Sequence, residues 1–377
     1  MKLHKKYLEL ISVCLLIIIF SILFIQTLHR YDSNDFTSYL LSSKALLSGS
    51  NPYITGSPFS YIYPLTFAFF LIPFTALPEL ITQIVWFIFN VWILYYSALF
   101  LMKMENNFLL EYKYSVLAIT AVILLNFIQN NLVNAQVNIL IVFLCIQFFN
   151  FYKGNKNNLS AIFLAMAISI KILPVFILLF LLFRNKYRHV LQTMLFTFLF
   201  LAIPAIVTGD KIIAYYISYF KNVICVHNIP AISFVTGMIF NLPGLIGLIY
   251  PAFFNGMITY LLNFILVAFL FLIVFYYYRR LNDLSLFPLL FIGFLLISPI
   301  SETHHLIFLF PCIMIIIVNF FSKKNLPDYS DWTLISFIII SIVLSKFIRF
   351  FYLIFILSTL FLYIKRILQE YSPIADE

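Results

Sequence analysis

Two carboxylates, Asp32 and Asp35, stand just beyond the first long apolar run, 8–27. A carboxylate at a membrane surface can take the proton from a hydroxyl within hydrogen-bond reach, the work of a general base. Residues three apart share a helix face, so both acids could serve one site. The segment DFTSYLLSSKALLSGSNPY runs from Asp35 to Tyr53. Up to Leu47 it has an amphipathic helical pattern, with Tyr39, Leu40, Leu46 and Leu47 as its apolar or aromatic members. Gly49, Asn51 and Pro52 then end it. The pattern predicts a short helix lying on the membrane with an acid at its start. The same residues also allow a structural reading, in which Asp32 or Ser33 caps the helix and Asp35 only complements its dipole.

Lys171 lies twelve residues into the apolar run 159–183. A cation there could meet a phosphate on which charge develops. Ionisable groups at such depth are costly and usually line a cavity or pathway, although a lysine can also snorkel along its helix. Pro174 loosens the backbone beside it. His304 and His305 stand at the outer end of the run 286–301, where one could contact a phosphate or a sugar. Adjacent residues on a helix point about 100° apart, and no third ligand is near, so a metal is not expected. Glu302 is a second candidate base or, preferably, a partner for a histidine. Tyr53, Tyr61 and Tyr63 could stack on a sugar, or belong to an interfacial belt. The pair Glu105 and Glu111, beside Lys103 and Lys113, has the character of a solvated loop, and Gly209-Asp210-Lys211 that of a turn.

The elements that must position these residues follow from composition. Of 377 residues, 63% are hydrophobic and 10% charged, far below the quarter that a soluble domain carries. Long apolar runs recur from end to end, and backbone in lipid must bond within its own segment, so helices are expected. Continuous runs such as 306–321 exclude the short alternating segments of a barrel. The net charge of +9 fits loops anchored beside anionic lipid and calls for no nucleic acid. Cys14, Cys145 and Cys312 sit in apolar runs and Cys225 in a loop, without disulfide or zinc spacing. The basic N-terminus with its long apolar run is expected to stay as a helix, since no small-residue cleavage site follows.

About twelve spans are expected, at 8–27, 62–78, 80–102, 114–130, 138–152, 159–183, 190–208, 256–277, 286–301, 306–321, 332–345 and 350–364. The stretch 237–253 could be a half-helix or a further span. With the N-terminus inside, alternation leaves twelve lysines and arginines inside and ten outside, with Lys171 within a span. Both termini are then cytoplasmic. The expected fold is a single all-α integral membrane domain, 1–377, with outward loops 28–61 and 209–255 over the site. The count puts Gln136 and Asn138 on the inner side, as helix-connecting hydrogen-bond formers, unless that region is re-entrant.

Four motifs then carry a resemblance. Asp35, Tyr39, Ala45, Gly49, Asn51-Pro52-Tyr53, Tyr63-Pro64 and Pro73 resemble the opening of glycosyltransferase family 87, integral-membrane transferases of the C class (GT-C) that use polyprenyl-phosphate mannose. Asn134-Ala135-Gln136-Val137-Asn138 resembles the family's Gly-Gln-x-Asn, with Ala135 in place of Gly. Ile170-Lys171-Ile172-Leu173-Pro174 resembles its Lys-x-x-Pro. Ser298-Pro299-Ile300-Ser301-Glu302-Thr303-His304-His305 resembles its Ser-Pro-x-Ser-Trp-x-His-His, with Glu302 where Trp is usual.

The resemblance implies an inverting hexosyltransferase of the cell membrane, its site on the extracytoplasmic side. It implies a polyprenyl-phosphate sugar as donor, with mannose favoured, and a glycolipid or glycan hydroxyl as acceptor, without a cofactor. Asp35 takes the general-base role by family position. Lys171, His304, His305, Tyr39, Tyr63, Asp32 and Glu302 are the candidate substrate contacts. A transporter or flippase for a lipid-linked or small solute is the alternative, suggested by the intramembrane lysine and the proline-interrupted helices. It lacks the internal repeats common in transporters.

Overall fold

The computed structural model of the chain describes residues 2–32, 34–57, 59–105, 111–224, 283–297, 302–322, 329–344 and 351–371, with isolated positions between 265 and 276. Every regular element among the described residues is helical. Four helices are long and apolar enough to cross a membrane: Lys5–His29, Glu79–Met104, Tyr187–Val223 and Thr303–Phe321. Lys113–Ile123 and Leu125–Val133 make a fifth if the pair, bent by 79°, counts as one. Shorter apolar helices include Asn138–Lys153, Asn157–Ile170, Leu173–Phe183 and Asp331–Leu344. The expected segment 237–253, most of 256–277 and the motif residues 298–301 lie outside the described residues, as does Ser33.

The chain divides into two compact units. One comprises Met1–Phe20, Tyr95–Ile128 and Asn228–Glu377. Its most buried span is Thr303–Phe321, while the N-terminal helix presents most of its side chains outward, as a helix facing lipid must. Asp331, almost fully buried at the start of the helix Tyr329–Leu344, pairs with Lys365 of Phe351–Tyr371 at 2.8 Å. These two helices are therefore antiparallel neighbours.

The other unit comprises Ser21–Leu94 and Gln129–His227. Three of its helices, Asn138–Lys153, Asn157–Ile170 and Tyr187–Ala202, pack side by side. The middle one buries Ala161, Ala165 and Ala167, small residues that let helix backbones approach closely where lipid supplies no hydrophobic drive. Ser160 Oγ donates to the Phe148 carbonyl at 2.9 Å across this contact. Gln192 Nε2 donates to Asn158 Oδ1 at 3.0 Å, so the loops 153–158 and 184–186 share one end of the bundle.

Two sets of contacts correct the alternation counted from the sequence. Lys5 pairs with Glu111, and Glu9 accepts hydrogen bonds from the amides of Tyr114 and Ser115, although the count puts the two groups on opposite sides. Gln136 donates to Asp35, again across the counted membrane. One cause accounts for both. The run 62–78 is no span: it breaks into the helix Leu65–Phe70 and the 3-10 turn Ile72–Ala76, between Pro64, Pro73 and Pro78. Six α-helical residues rise only about 9 Å, against a core of about 30 Å. Without that crossing the counted alternation no longer holds for residues 103 to 158. The run 159–183 is likewise not one continuous helix: it breaks at Lys171 into Asn157–Ile170, the 3-10 turn Leu173–Phe176 and Ile177–Phe183.

Candidate active site

The helix Asp35–Leu47, labelled α1 from here, forms where the sequence pattern puts it. Its cap is neither Asp32 nor Ser33 but Asn34, whose side chain accepts from the Phe36 amide at 3.0 Å. The physical reason is the phase of the turn. Asn34 has the extended backbone (φ −133°, ψ 177°) that a cap residue needs, and its amide is further held by exchange of hydrogen bonds with Gln83. Asp32 sits exposed in the turn two residues earlier. Asp35 thus becomes the first residue of α1, half-buried, where the helix dipole favours a carboxylate.

At its other end α1 closes in a Schellman motif, with Gly49 at φ +69°. The Ser50 amide reaches the Ala45 carbonyl at 2.8 Å and the Gly49 amide reaches that of Leu46 at 3.3 Å. The Gly49 carbonyl in turn accepts from Lys211 Nζ at 3.0 Å and from the Tyr215 hydroxyl at 2.6 Å. Asn51 donates to Ser218 at 3.0 Å. The two long segments singled out in the sequence, 28–61 and the start of 209–255, therefore pack on each other. Gly209 takes φ +56°, as the expected turn requires.

α1 is more buried than a helix lying on lipid would be. Phe36, Tyr39, Leu40 and Leu46 are in the core, and so are Ser38, Ser42 and Ser43. Each serine hydroxyl is satisfied by a backbone carbonyl: Asp35, Pro52 and Tyr39 respectively. The Tyr39 ring packs edge-on against Tyr63 at 5.4 Å, with the two hydroxyls 3.4 Å apart. Burial, with Tyr63 adjoining it, pushes the Tyr39 hydroxyl well above the usual phenol range, so it stays a neutral donor beside Asp35. Tyr61 spends its hydroxyl on the Pro64 carbonyl and the Ala68 amide. Tyr53 spends its own on the Tyr63 carbonyl. Both are committed to holding the loop.

The turn between Leu125–Val133 and Asn138–Lys153 brings the remaining polar groups. It is a second Schellman motif: the Gln136 amide reaches the Asn131 carbonyl at 2.8 Å and the Ala135 amide that of Leu132 at 3.2 Å. Ala135 occupies the left-handed position, at φ +50°. The departure from the usual Gly is therefore an alanine held where glycine is cheapest. Trp86 Nε1 donates to its carbonyl at 3.1 Å. This turn delivers the Gln136 side chain to Asp35 Oδ2. Two residues on, Asn138 Oδ1 accepts from Lys171 Nζ at 2.7 Å, while Asn138 Nδ2 donates to Asn131 at 3.1 Å. Gln136, Asn138 and Asn131 are all buried.

Lys171 is not inside a continuous span. It ends the helix Asn157–Ile170 in extended conformation (φ −144°, ψ 128°), ahead of the 3-10 turn Leu173–Phe176 that Pro174 opens. Its ammonium lies 5.9 Å from the centre of the Tyr63 ring, at the edge of cation–π range. Asp35, Tyr39, Tyr63 and Lys171 are thus linked within one unit through Gln136 and Asn138. The sequence assigned those two amides helix-connecting hydrogen bonds on the inner side, and they do bond between elements, Gln136 to Asp35 and Asn138 to Lys171.

Glu302, His304 and His305 form a cluster of their own in the other unit. They open the helix Thr303–Phe321 through a 3-10 turn, Thr303–Leu309. Glu302 and His305 make a reciprocal cap: the carboxylate accepts from the His305 amide and His305 Nδ1 accepts from the Glu302 amide at 3.0 Å. An accepting Nδ1 leaves the ring hydrogen on Nε2. His304 Nδ1 lies 3.5 Å from Glu302 Oε2. Glu302 thereby partners both histidines. Among the described residues no three His, Cys, Asp or Glu side chains converge as a metal site would need.

A helical bundle with apolar spans and a half-buried carboxylate at a helix start defines a polytopic membrane protein with a candidate acid–base site. The family model of glycosyltransferase family 87 matches residues 61–299, well over half of the chain. The chain belongs to glycosyltransferase family 87 and is a membrane glycosyltransferase. No curated protein and no solved structure matches it. Tyr63, Gln136, Asn138 and Lys171 fall inside the matched segment, whereas Asp35 precedes it and the histidines follow it.

Proposed function

We propose that this glycosyltransferase moves a hexose, mannose first among the candidates, from a polyprenyl-phosphate carrier to an acceptor hydroxyl with inversion. The observation that carries this reading is the placement of Asp35. It is the first residue of α1, half-buried, and bonded through Gln136 to the turn that also holds Lys171. The acceptor oxygen forms its bond to the anomeric carbon as that carbon's bond to the carrier phosphate oxygen breaks. The hydroxyl proton passes to Asp35, and polyprenyl phosphate leaves from the opposite face. A base so placed contributes roughly 10²–10⁴-fold. Lys171 meets the charge that develops on the phosphate. Tyr39 and Tyr63 wall the site beside them.

In this reading Asp32 lies at the acceptor's approach. The acceptor is a glycolipid or glycan. The donor is a substrate, and no cofactor takes part. Family membership favours transfer over the transport of a lipid-linked or small solute, which the sequence alone left open.

The site faces the extracytoplasmic side, with both termini cytoplasmic. With the corrected topology Lys103, Lys113, Lys153 and Lys156 join Lys5 on the inner side. The count of basic residues becomes sixteen inside against six outside, a much stronger bias than before. The test is sugar transfer in membranes containing the wild type or Asp35→Asn, supplied with radiolabelled polyprenyl-phosphate mannose and a crude lipid extract. A labelled product that vanishes with the variant supports the donor class and the base together. A product that persists in the variant sinks the assignment of Asp35.

A further inference from the structure

One short turn holds both charged members of the candidate site. Gln136 donates to the Asp35 carboxylate, and two residues later Asn138 accepts from the Lys171 ammonium. All four residues lie in the same compact unit. The turn itself has little freedom. Its backbone closes in a Schellman motif, Trp86 holds the Ala135 carbonyl, and Arg30 reaches Asn134 at 3.5 Å. Asn131, from the preceding helix, holds the Asn138 amide. Gln136 and Asn138 are 5% and 0% exposed, so burying two primary amides must be compensated by these bonds.

We propose that Gln136 and Asn138 are positioning residues of the transferase, the first orienting the Asp35 carboxylate toward the acceptor hydroxyl and the second holding the Lys171 ammonium at the donor phosphate. The inference rests on the function proposed above and adds how its two charged groups are kept in register. A base and a cation on separate helices would drift independently. Tied to residues two apart in one rigid turn, they keep a fixed separation, which is what an in-line displacement needs from groups on opposite sides of the reacting carbon. Neutral amides suit the task. A charged partner in place of Gln136 would neutralise the base, and one in place of Asn138 would neutralise the lysine.

The two arms make different predictions. Gln136→Leu removes a donor from the charged form of Asp35, and Gln136→Glu replaces it by a group that cannot donate while ionised. Among the described ionisable groups on the neighbouring elements, Tyr39 of α1 interacts with that carboxylate, Arg30 bonds Asn134 of the turn, Glu79 accepts from Thr37 of α1, and Lys171 bonds Asn138. None is altered by either substitution. The Asp35 carboxyl, followed by infrared titration of the purified protein and assigned by its loss in Asp35→Asn, should then titrate about one pH unit higher in Gln136→Leu, the size of one hydrogen bond to a charged group, and higher still in Gln136→Glu, where a second carboxylate adds like-charge repulsion. Turnover should fall about 10–100-fold while the affinity for polyprenyl phosphate holds.

Asn138→Leu should do the reverse, weakening polyprenyl phosphate binding about tenfold and leaving the Asp35 titration in place. An unmoved titration in both Gln136 variants, or the same change from both arms, overturns the proposal. The function itself fails separately. If Asp35→Asn still transfers sugar while the Gln136 variants move the titration, the positioning geometry stands and the assignment of the base does not.

Discussion

At the scale of the residue, the candidate site gathers a few charged or amide side chains placed against apolar helices. Asp35→Asn keeps the shape and the helix start but cannot accept a proton. Transfer should fall at least about 100-fold with abundance in the membrane unchanged, as read by product formation alongside quantitative blotting. Lys171→Ala removes an ammonium that Asn138 holds at 2.7 Å. The dissociation constant for polyprenyl phosphate should rise about tenfold, and an unaltered constant would return Lys171 to a structural role. Lys171 drew notice in the sequence because an ammonium inside an apolar run is costly and needs a reason, and Asp35 because of its place in the family motif. The partners of Gln136 and Asn138 were not legible, because amides are cheap to bury when bonded and only the fold shows to what they bond.

At the scale of the element, two Schellman turns fix the geometry, and they use opposite residues at the same position. Gly49 ends α1 at φ +69°, and Ala135 ends the helix Leu125–Val133 at φ +50°. A side chain in the left-handed region costs roughly 1–2 kcal/mol. Gly49→Ala should therefore lower stability by about 1 kcal/mol, and Ala135→Gly should raise it by up to about that amount. Thermal unfolding in detergent reads both, and shifts of the same sign would contradict the turn assignments. The start and stop of α1 were legible in the sequence to within a residue at each end. Its cap was not, since Asp32, Ser33 and Asn34 are all competent cap residues and the phase of the chain decides among them.

For the whole molecule, Lys5 with Glu111 and Gln136 with Asp35 are each brought together within one unit, and sidedness is the property to test. A chain cleared of native cysteines, with Lys156→Cys or Ser60→Cys, offers a direct check. Both positions are exposed. An impermeant thiol reagent added outside intact cells should label Ser60→Cys and spare Lys156→Cys until the membrane is opened. The uncorrected twelve-span alternation expects both to be labelled from outside, so equal labelling would restore it.

Composition and apolar runs determined by themselves that this is an all-helical membrane protein, because backbone in lipid has so few ways to satisfy its hydrogen bonds. Ordered motifs carried the family and the role expected of Asp35, and the depth of Lys171 in an apolar run marked it as a candidate. Tertiary structure alone decided that the run 62–78 turns back and that 159–183 breaks at Lys171. An apolar run records only that its side chains avoid water. Whether they face lipid across a full span or pack inside the bundle as short broken helices depends on neighbours far away in sequence, here Phe200 against Thr66 and Asn138 against Lys171.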